Sequence, residues 1–333
     1  MIAICYSLEF YYSEELKSFP SKILLFGEYG ILKGSLGLAI PYPVYSGSWV
    51  FPQNEKDSAS NENARRSNRH LRFLLDYLET QPELFNRLKV SKFRKDIENG
   101  VYFESNIPEG YGLGSSGALT AAIFYRYAKS GTDNLSLAEI RQNLASIEKF
   151  FHGTSSGLDP LVSWVNKPLL IENDGTVKPL GQISFPFLIT GCGMPCEKND
   201  SSRVYIFLVG TNTPSKTGNL VNWFLEEYNN FEFRRAVNEV YLPAIQQAID
   251  QLLSCKSNLF LNAVAAVSAF QMQFLSPMVP VQMIDHLDYG LSTDKFYLKL
   301  CGSGGGGFML GFTRYREETF NYFHQKGFDI RFL

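Results

Sequence analysis

Four glycines and two serines fall within eight consecutive residues, Gly110-Tyr-Gly-Leu-Gly-Ser-Ser-Gly117. The apolar residues Val101–Phe103 precede this stretch and predict a strand, and the small and apolar residues Ala118–Tyr127 follow it and predict a buried helix. Glycines let the backbone approach an anion closely, and the N–H groups at the start of a helix point toward it. The order of strand, loop and helix therefore predicts a phosphate-binding loop, rather than a turn that only caps a buried helix.

Two other phosphate-loop interpretations fit the sequence less well. Gly112–Gly117 satisfies the G-x-G-x-x-G pattern of dinucleotide-binding folds, but residues 130–136 lead into another helix where those folds place a second strand ending in an acidic residue. Gly210–Thr217 follows a strand and nearly matches the pattern G-x-x-x-x-G-K-[ST]. Ser215 replaces its second glycine, however, and Pro214 removes a backbone donor.

Composition excludes several classes of protein. The chain has 333 residues, of which 45% are hydrophobic and 19% charged, as is typical of a globular protein with two domains of about 150 residues. The net charge of −2 gives no basic field for nucleic acid, and no apolar stretch reaches the roughly 18 residues of a membrane span. The five cysteines show no metal-site spacing, and the N-terminus has no basic leader. We therefore expect a cytoplasmic protein with no nucleic-acid or membrane partner.

The order of predicted elements indicates an α+β fold. Strands are predicted at Lys22–Phe26, Gly37–Ile40, Val204–Val209, Tyr297–Leu300 and Phe308–Phe312, in addition to the one before the glycine stretch. Further helices are predicted at His70–Leu78, Leu137–Phe151, Asn219–Tyr228, Phe233–Leu253 and Leu259–Phe274, and another from Asp159. Residues 53–68 are polar and predict a loop, and Pro and Gly breaks after residue 178 predict a domain boundary that gives domains 1–185 and 186–333.

The chain resembles the GHMP kinases in three motifs that occur in order. The central one is Pro108-Glu-Gly-Tyr-Gly-Leu-Gly-Ser-Ser-Gly-Ala118, the N-terminal one is Lys22-Ile-Leu-Leu-Phe-Gly-Glu-Tyr-Gly-Ile-Leu-Lys-Gly34, and the C-terminal one is Lys299-Leu-Cys-Gly-Ser-Gly-Gly-Gly-Gly307. The resemblance implies the two-domain GHMP kinase fold, with a ribosomal-S5-like N-terminal domain and a ferredoxin-like C-terminal domain. It also implies transfer of phosphate from ATP, with Mg²⁺, to a hydroxyl of a small molecule. The oligomeric state stays open, a homodimer included.

A fourth segment narrows the resemblance. Residues Glu148-Lys-Phe-Phe-His-Gly-Thr-Ser-Ser-Gly-Leu-Asp159 are similar to the pattern of mevalonate kinases, in which a glutamate precedes H-G-x-x-S-G-x-D. By that resemblance Glu148 is a magnesium ligand, Asp159 is the catalytic base and Lys22 lies beside the reacting hydroxyl, which implies phosphorylation of mevalonate in isoprenoid precursor synthesis. Ser116 supplies a second oxygen ligand for the metal.

The remaining expected site residues fall into two groups. The expected ATP-phosphate contacts are Pro108, Gly110, Gly112, Leu113, Gly114, Ser115, Ser116 and Gly117. The expected substrate contacts are Glu28, Tyr29, His152, Ser156, Gly157, Thr217, Gly304 and Gly305.

Several alternatives stay open at this stage. Mevalonate kinases usually have G-E-H where this chain has Gly27-Glu-Tyr29, and G-E-Y is more usual in phosphomevalonate kinases. A decarboxylase relative and a non-catalytic GHMP-fold metabolite sensor are further alternatives. Taken singly, Asp159 before Pro160 also fits a helix N-cap. Glu148 also fits an exposed helix acid, His152 a capping or core histidine, and Lys22 a solvated residue entering a strand.

Overall fold

The computed structural model describes residues 17–52, 62–129, 134–181, 203–215, 218–254 and 256–333. Contacts divide the chain into two units, neither of which is continuous in sequence. One consists of Met1–Lys22, Pro41–Pro108 and Gly114–Asn166, and the other of Ile23–Ile40, Glu109–Leu113 and Lys167–Leu333. The boundary predicted at residues 185 and 186 lies outside the described residues.

The first unit takes the start of one strand, most of a second, and the elements that follow. These are β1 (Ser18–Phe26), β2 (Gly37–Val50), α1 (Glu62–Thr80), α2 (Pro82–Arg87), α3 (Val90–Glu98), β3 (Tyr102–Ser105), α4 (Ser115–Tyr127), α5 (Leu137–His152) and α6 (Leu158–Val165). β2 and β3 pair antiparallel, with Gly47 opposite Ser105 and Val50 opposite Tyr102.

Helix α1 begins within the polar stretch for which the sequence predicts a loop. The loop predicted over residues 53–68 is wrong from Glu62 onward, where α1 begins, and residues 53–61 lie outside the described residues. Ala64 and Leu71 are buried, whereas Arg65 and Arg66 are exposed. The polar residues therefore form the solvent face of an amphipathic helix.

Helix α5 begins as the sequence predicts. The Ser136 side chain accepts a hydrogen bond from the Glu139 backbone N–H, and the Glu139 carboxylate accepts one from the Ser136 N–H at 2.8 Å. This reciprocal pair satisfies N–H groups that have no partner within the helix.

The second unit contains the rest of the chain's helices and strands. In the described residues these are β4 (Leu169–Ile171), β5 (Val177–Pro179), β6 (Tyr205–Gly210), α7 (Gly218–Glu227), α8 (Phe231–Ala236), α9 (Leu242–Leu253), α10 (Ser257–Phe274), α11 (Ile284–Thr293), β7 (Phe296–Leu300), β8 (Phe308–Thr313), α12 (Arg316–Gln325) and β9 (Ile330–Phe332). β6 to β9 form a four-stranded antiparallel sheet in the order β7-β8-β6-β9. No helix of the described residues is long and apolar enough to cross a membrane.

The helix predicted over Phe233–Leu253 is interrupted. Val237–Tyr241 form a π-helical turn between α8 and α9. Pro243, at the start of α9, has no N–H to donate to the preceding turn, so the regular hydrogen-bond ladder cannot continue through it. The interruption places the Tyr241 side chain in the core, where it is fully buried.

Glycine is required at the start of α6. Gly157 has φ +70°, and a Cβ at this position would lie 2.4 Å from the Arg141 carbonyl oxygen. Gly327 also has a positive φ, +80°, but nothing lies within 4 Å of its Cβ position. The two glycines differ in whether backbone occupies the space a side chain would take.

Alanine substitutions should separate these two requirements. We expect Gly327→Ala to lower the free energy of unfolding by about 1–2 kcal/mol, because its only cost is that of holding alanine in the left-handed conformation. Gly157→Ala should cost at least about 1 kcal/mol more, because its Cβ also overlaps backbone. Urea unfolding of both variants measures the difference, and equal losses would contradict the overlap.

Candidate active site

A buried lysine and a half-exposed carboxylate form an ion pair in the first unit. Lys22 lies in β1 and Asp159 in the first turn of α6, with Lys22 Nζ 3.0 Å from Asp159 Oδ2. The Lys22 side chain is 5% exposed and that of Asp159 is 42% exposed. The lysine is therefore fixed within the protein, while the carboxylate remains open to a substrate.

The alternative that Asp159 is a helix cap is wrong. The N-cap of α6 is Gly157, and no side chain caps the helix there. The Ser155 hydroxyl accepts from Gly157 N–H at 2.9 Å, and the Ser156 hydroxyl accepts from Leu158 N–H at 3.3 Å. An N-cap at Asp159 would bind an N–H two or three residues later, but the Leu161 N–H donates to Gly157 O at 3.2 Å, and the Asp159 side chain contacts Lys22.

The first turn of α4 packs directly against this ion pair. Gly114, the N-cap of α4, has φ +74°, and a Cβ on it would lie 2.9 Å from Lys22 Cγ and 3.6 Å from Asp159 Oδ2. A Cβ on Gly117 would lie 2.9 Å from the backbone of Asp159 and Pro160. These glycines therefore allow the N–H groups at the start of α4 to lie beside Lys22 and Asp159.

Oxygen donors surround a second carboxylate nearby. Glu148, near the end of α5, is 5% exposed, and its Oε1 accepts a hydrogen bond from Ser116 Oγ at 3.4 Å. Ser155 Oγ donates to its other carboxylate oxygen. His152 is exposed, and its Nε2 lies 3.0 Å from Ser116 Oγ. The interpretation of Glu148 as an exposed helix acid is wrong, and so is that of His152 as a core residue.

The electrostatics of the cluster favour a protonated Glu148 at moderately acidic pH. Burial, and then the charge of Asp159, raise the pKa of Glu148 to about 7. The Ser155 hydrogen bond, the charge of Lys22 and the Ser116 hydrogen bond oppose this rise. The Glu148 carboxylate is therefore mostly ionised only above about pH 7.

The glycine loop of the second unit, Gly302–Gly307, is held by backbone and hydroxyl contacts within that unit. Thr211 Oγ1 donates to Gly307 O at 2.8 Å, and Ser215 Oγ donates to Gly304 O at 2.5 Å. The Thr213 and Thr211 hydroxyls lie 3.3 Å apart on the same segment. The loop is therefore fixed in one conformation.

The expected substrate residues of the second unit have structural partners. Glu28 is buried in an ion pair with Lys299, and Tyr29 OH donates to Ser303 O at 2.5 Å. Gly305 N–H donates to Met278 O at 2.6 Å. A Cβ on Gly304 would lie 2.5 Å from the same oxygen. Thr217 lies outside the described residues.

The other expected site residues are placed as follows. Within the first unit the structure brings together Lys22, Gly114, Ser115, Ser116, Gly117, Glu148, His152 and Asp159. In the same unit, the Ser156 carbonyl accepts from Arg141 Nε at 2.8 Å. In the second unit, Gly110 and Gly112 have φ +77° and +79°, and Leu113 is fully buried. For Pro108 the structure shows no feature specific to an anion site, and its role stays a prediction.

Sequence reasoning missed some residues around these sites. Ser155 was not predicted, although its hydroxyl contacts both Glu148 and the start of α6. Lys299 opens the C-terminal motif but was not assigned a role, and nothing in the sequence pairs it with Glu28. Gln271 and Tyr241 lie on apolar helices, and only the three-dimensional contacts reveal that their polar groups meet.

Comparison with known proteins shows what the chain is similar to. Residues 79–166 match the family model of the GHMP kinases N terminal domain. The chain is 29% identical over 188 residues to the mevalonate kinase of Thermococcus onnurineus, which covers 52% of this chain and 56% of that protein. The aligned region thus spans little more than half the length of the curated relatives it matches.

Solved structures match over nearly the whole chain. The mevalonate kinase of Methanococcus jannaschii superposes with a TM-score of 0.58 at 18% identity, covering 95% of this chain and 96% of that one. The phosphomevalonate kinase of Streptococcus pneumoniae, in complex with phosphomevalonate and AMPPNP, gives 0.57 at 16% identity and covers 95% and 99%.

The fold is that of the GHMP kinases, and residues 79–166 match the model of their N-terminal domain. This confirms the α+β GHMP kinase fold predicted from the motifs. The relatives that the chain resembles in sequence are mevalonate kinases.

The raised pKa predicts how Glu148 affects stability. A carboxyl group with a raised folded-state pKa stabilises the fold below its ordinary pKa of 4.5, and that contribution is lost as pH rises through about 7. Glu148→Gln should therefore exceed the wild type in unfolding free energy at pH 8, by on the order of 2 kcal/mol, and match it near pH 5.

Chemical denaturation at the two pH values measures this effect. Glu98→Gln, which changes an exposed carboxylate at the end of α3, is the control and should show no such pH dependence. A Glu148→Gln difference that is the same at pH 5 and pH 8 would contradict the assignment.

Proposed function

We propose that this protein is an ATP-dependent kinase that transfers the γ-phosphate to a hydroxyl group of a small molecule, with mevalonate as the acceptor. The observation that carries the proposal is the ion pair between buried Lys22 and half-exposed Asp159. This pair packs against the first turn of helix α4, whose N-cap is Gly114. The GHMP kinase domain match over residues 79–166 includes Asp159, Glu148 and all of the glycine stretch Gly110–Gly117.

The residues of the ion pair have distinct chemical roles. Phosphoryl transfer needs positioning and charge stabilisation more than covalent catalysis. The Asp159 carboxylate is exposed enough to accept the proton of an acceptor hydroxyl. Lys22, held 3.0 Å from Asp159, stabilises the negative charge that develops on the hydroxyl oxygen.

The glycine loop supplies donors for the phosphates of ATP. Gly114 to Gly117 open α4, whose first N–H groups lack partners within the helix and carry the positive end of its dipole. The hydroxyls of Ser115 and Ser116 lie in the same turn and add hydrogen-bond donors. We assign the predicted contacts from Pro108 to Gly117 to this function.

The donor set near Glu148 fits Mg²⁺. Magnesium prefers oxygen ligands, takes one or two carboxylates and keeps several waters. Glu148 and Ser116 supply a shielded carboxylate and a hydroxyl 3.4 Å apart. When bound, Mg²⁺ neutralises phosphate charge.

Mevalonate is proposed as the acceptor for two reasons. The segment Glu148–Asp159 follows the mevalonate kinase pattern, and the curated relatives are mevalonate kinases. Tyr29 favoured phosphomevalonate on sequence alone, but its side chain is 6% exposed and bonds to Ser303 O, so packing within the second unit accounts for it. Phosphomevalonate remains the second candidate, since a phosphomevalonate kinase shares the fold. A coupled ADP-release assay with mevalonate, phosphomevalonate, homoserine and galactose tests the proposal, and release with none of them would refute it.

Asp159→Asn tests the catalytic role of the carboxylate. Asparagine keeps the size and polarity of the side chain but cannot accept the proton. Turnover should fall by on the order of 10²-fold or more, while the melting temperature and ATP affinity stay near wild type. Asp174→Asn, in an exposed turn, is the control. A folded Asp159→Asn enzyme with nearly full turnover would refute the mechanism.

The magnesium requirement should depend on pH. Because protons compete with a cation for Glu148, the Mg²⁺ concentration for half-maximal turnover should rise by up to about tenfold per pH unit below pH 7 and level off above it. Glu148→Gln should raise the requirement at every pH and remove this dependence. Magnesium titrations at several pH values measure it, and a wild-type curve that does not shift would remove Glu148 from the metal site.

A further inference from the structure

Five residues of the second unit form a closed ring of polar contacts around a buried ion pair. Lys299 Nζ lies 2.5 Å from Glu28 Oε1, with side chains 0% and 1% exposed, and also donates to Leu300 O at 2.6 Å. Leu300 N–H donates to Gln271 Oε1 at 2.8 Å. Gln271 Nε2 donates to Tyr241 OH, and Tyr241 OH donates to Glu28 O, both at 2.9 Å.

Such a ring is costly to bury and is sensitive to the loss of one member. Desolvating two charges costs several kcal/mol per ion, and apolar residues of similar volume often stabilise a core as well or better. Removing one charge leaves the other buried without its partner. Stability alone is therefore a weak explanation for a fully buried ion pair. The position of the pair in the fold explains it better.

The ring holds the start of the Gly302–Gly307 loop. Leu300 is the last residue of β7, and both its N–H and its C=O are taken by side chains of the ring. From the other side, Tyr29, next to Glu28, donates to Ser303 O. The carbonyl between these points, that of Cys301, lies 2.5 Å from where a Cβ on Gly112 would be. The backbone at 300–303 is thus fixed by contacts on several sides.

We propose that Lys299 and Gln271 are positioning residues that fix the Gly302–Gly307 loop for phosphoryl transfer, and that Glu28 acts through Lys299 rather than by contacting the acceptor. This inference rests on the proposed kinase function. It predicts that removing both charges of the Glu28–Lys299 pair is less harmful than removing one of them. The reason is that the loop depends more on the order of the ring than on either charge.

A double substitution separates positioning from substrate contact. Lys299→Met and Glu28→Gln should each lower kcat by on the order of 10²-fold, with the KM of the acceptor changed less than about threefold, because a displaced loop would no longer orient the acceptor that Gly304 and Gly305 are expected to contact. The double variant carries no buried charge and should recover at least about tenfold of the lost kcat. If Glu28 contacts the acceptor, the double variant will be as inactive as Glu28→Gln alone.

Hydrogen exchange gives a readout that does not depend on activity. Lys299→Met should speed amide exchange at residues 302–307, and the double variant should slow it again only in part, because methionine cannot donate to Leu300 O. Gln271→Met tests the same ring without leaving a buried charge, and should speed exchange at the same residues even if Lys299→Met does not fold. Should the wild type phosphorylate no acceptor, the kinase proposal fails, while exchange still decides whether the ring orders the loop.

Thr313→Val is the matched control. It removes a buried hydroxyl at the far end of β8, where Thr313 Oγ1 donates to Lys295 O at 2.6 Å. Thr313→Val should lower the melting temperature without changing exchange at 302–307 or kcat. The proposal is overturned if Lys299→Met keeps full kcat, if the double variant recovers nothing, or if exchange at 302–307 changes equally in Thr313→Val.

Discussion

The close approach of the α4 turn to the Lys22–Asp159 pair is the constraint on which the first unit depends. Gly114 and Gly117 have no side chains, and a Cβ on either would come within 2.9 Å of Lys22 or of the backbone at Asp159. Only under this condition do the N–H groups at a helix start, a buried ammonium and an accessible carboxylate lie together. The serines before α6 bind the N–H groups of Gly157 and Leu158, where the helix begins ahead of Asp159.

The Lys22–Asp159 and Glu28–Lys299 ion pairs illustrate two uses of charge. The Asp159 side chain is 42% exposed, whereas both members of the Glu28–Lys299 pair are almost completely buried. A carboxylate that takes part in chemistry must be reachable and must be able to change its protonation. A pair that only sets geometry is best kept from water, since burial strengthens its electrostatic interaction and removes competing partners.

Local sequence patterns predicted much of this structure. The remainder depends on contacts between residues far apart in sequence, which those patterns do not reveal. The capping box of Ser136 and Glu139, the strand and helix around the glycine loop, and the family motifs depend on residues close in sequence. The cap considered for Asp159 is wrong because propensity alone does not show that the helix already begins at Leu158, with Gly157 as its N-cap. The Lys299–Glu28 pair joins positions 271 residues apart, and no periodicity reveals such a contact. The start of α1 was missed because its first turn is polar on most sides.

The contacts of Leu300 have a further consequence for the outer edge of the β6–β9 sheet. β7 is an outer strand of its sheet, and its five residues, Phe-Tyr-Leu-Lys-Leu, are all buried. Outer strands of such composition can add to a strand of another chain through their unused backbone groups. Here the side chains of Gln271 and Lys299 bind the N–H and C=O of Leu300 at the end of β7. Those two backbone groups are therefore not available to pair with a strand of another molecule.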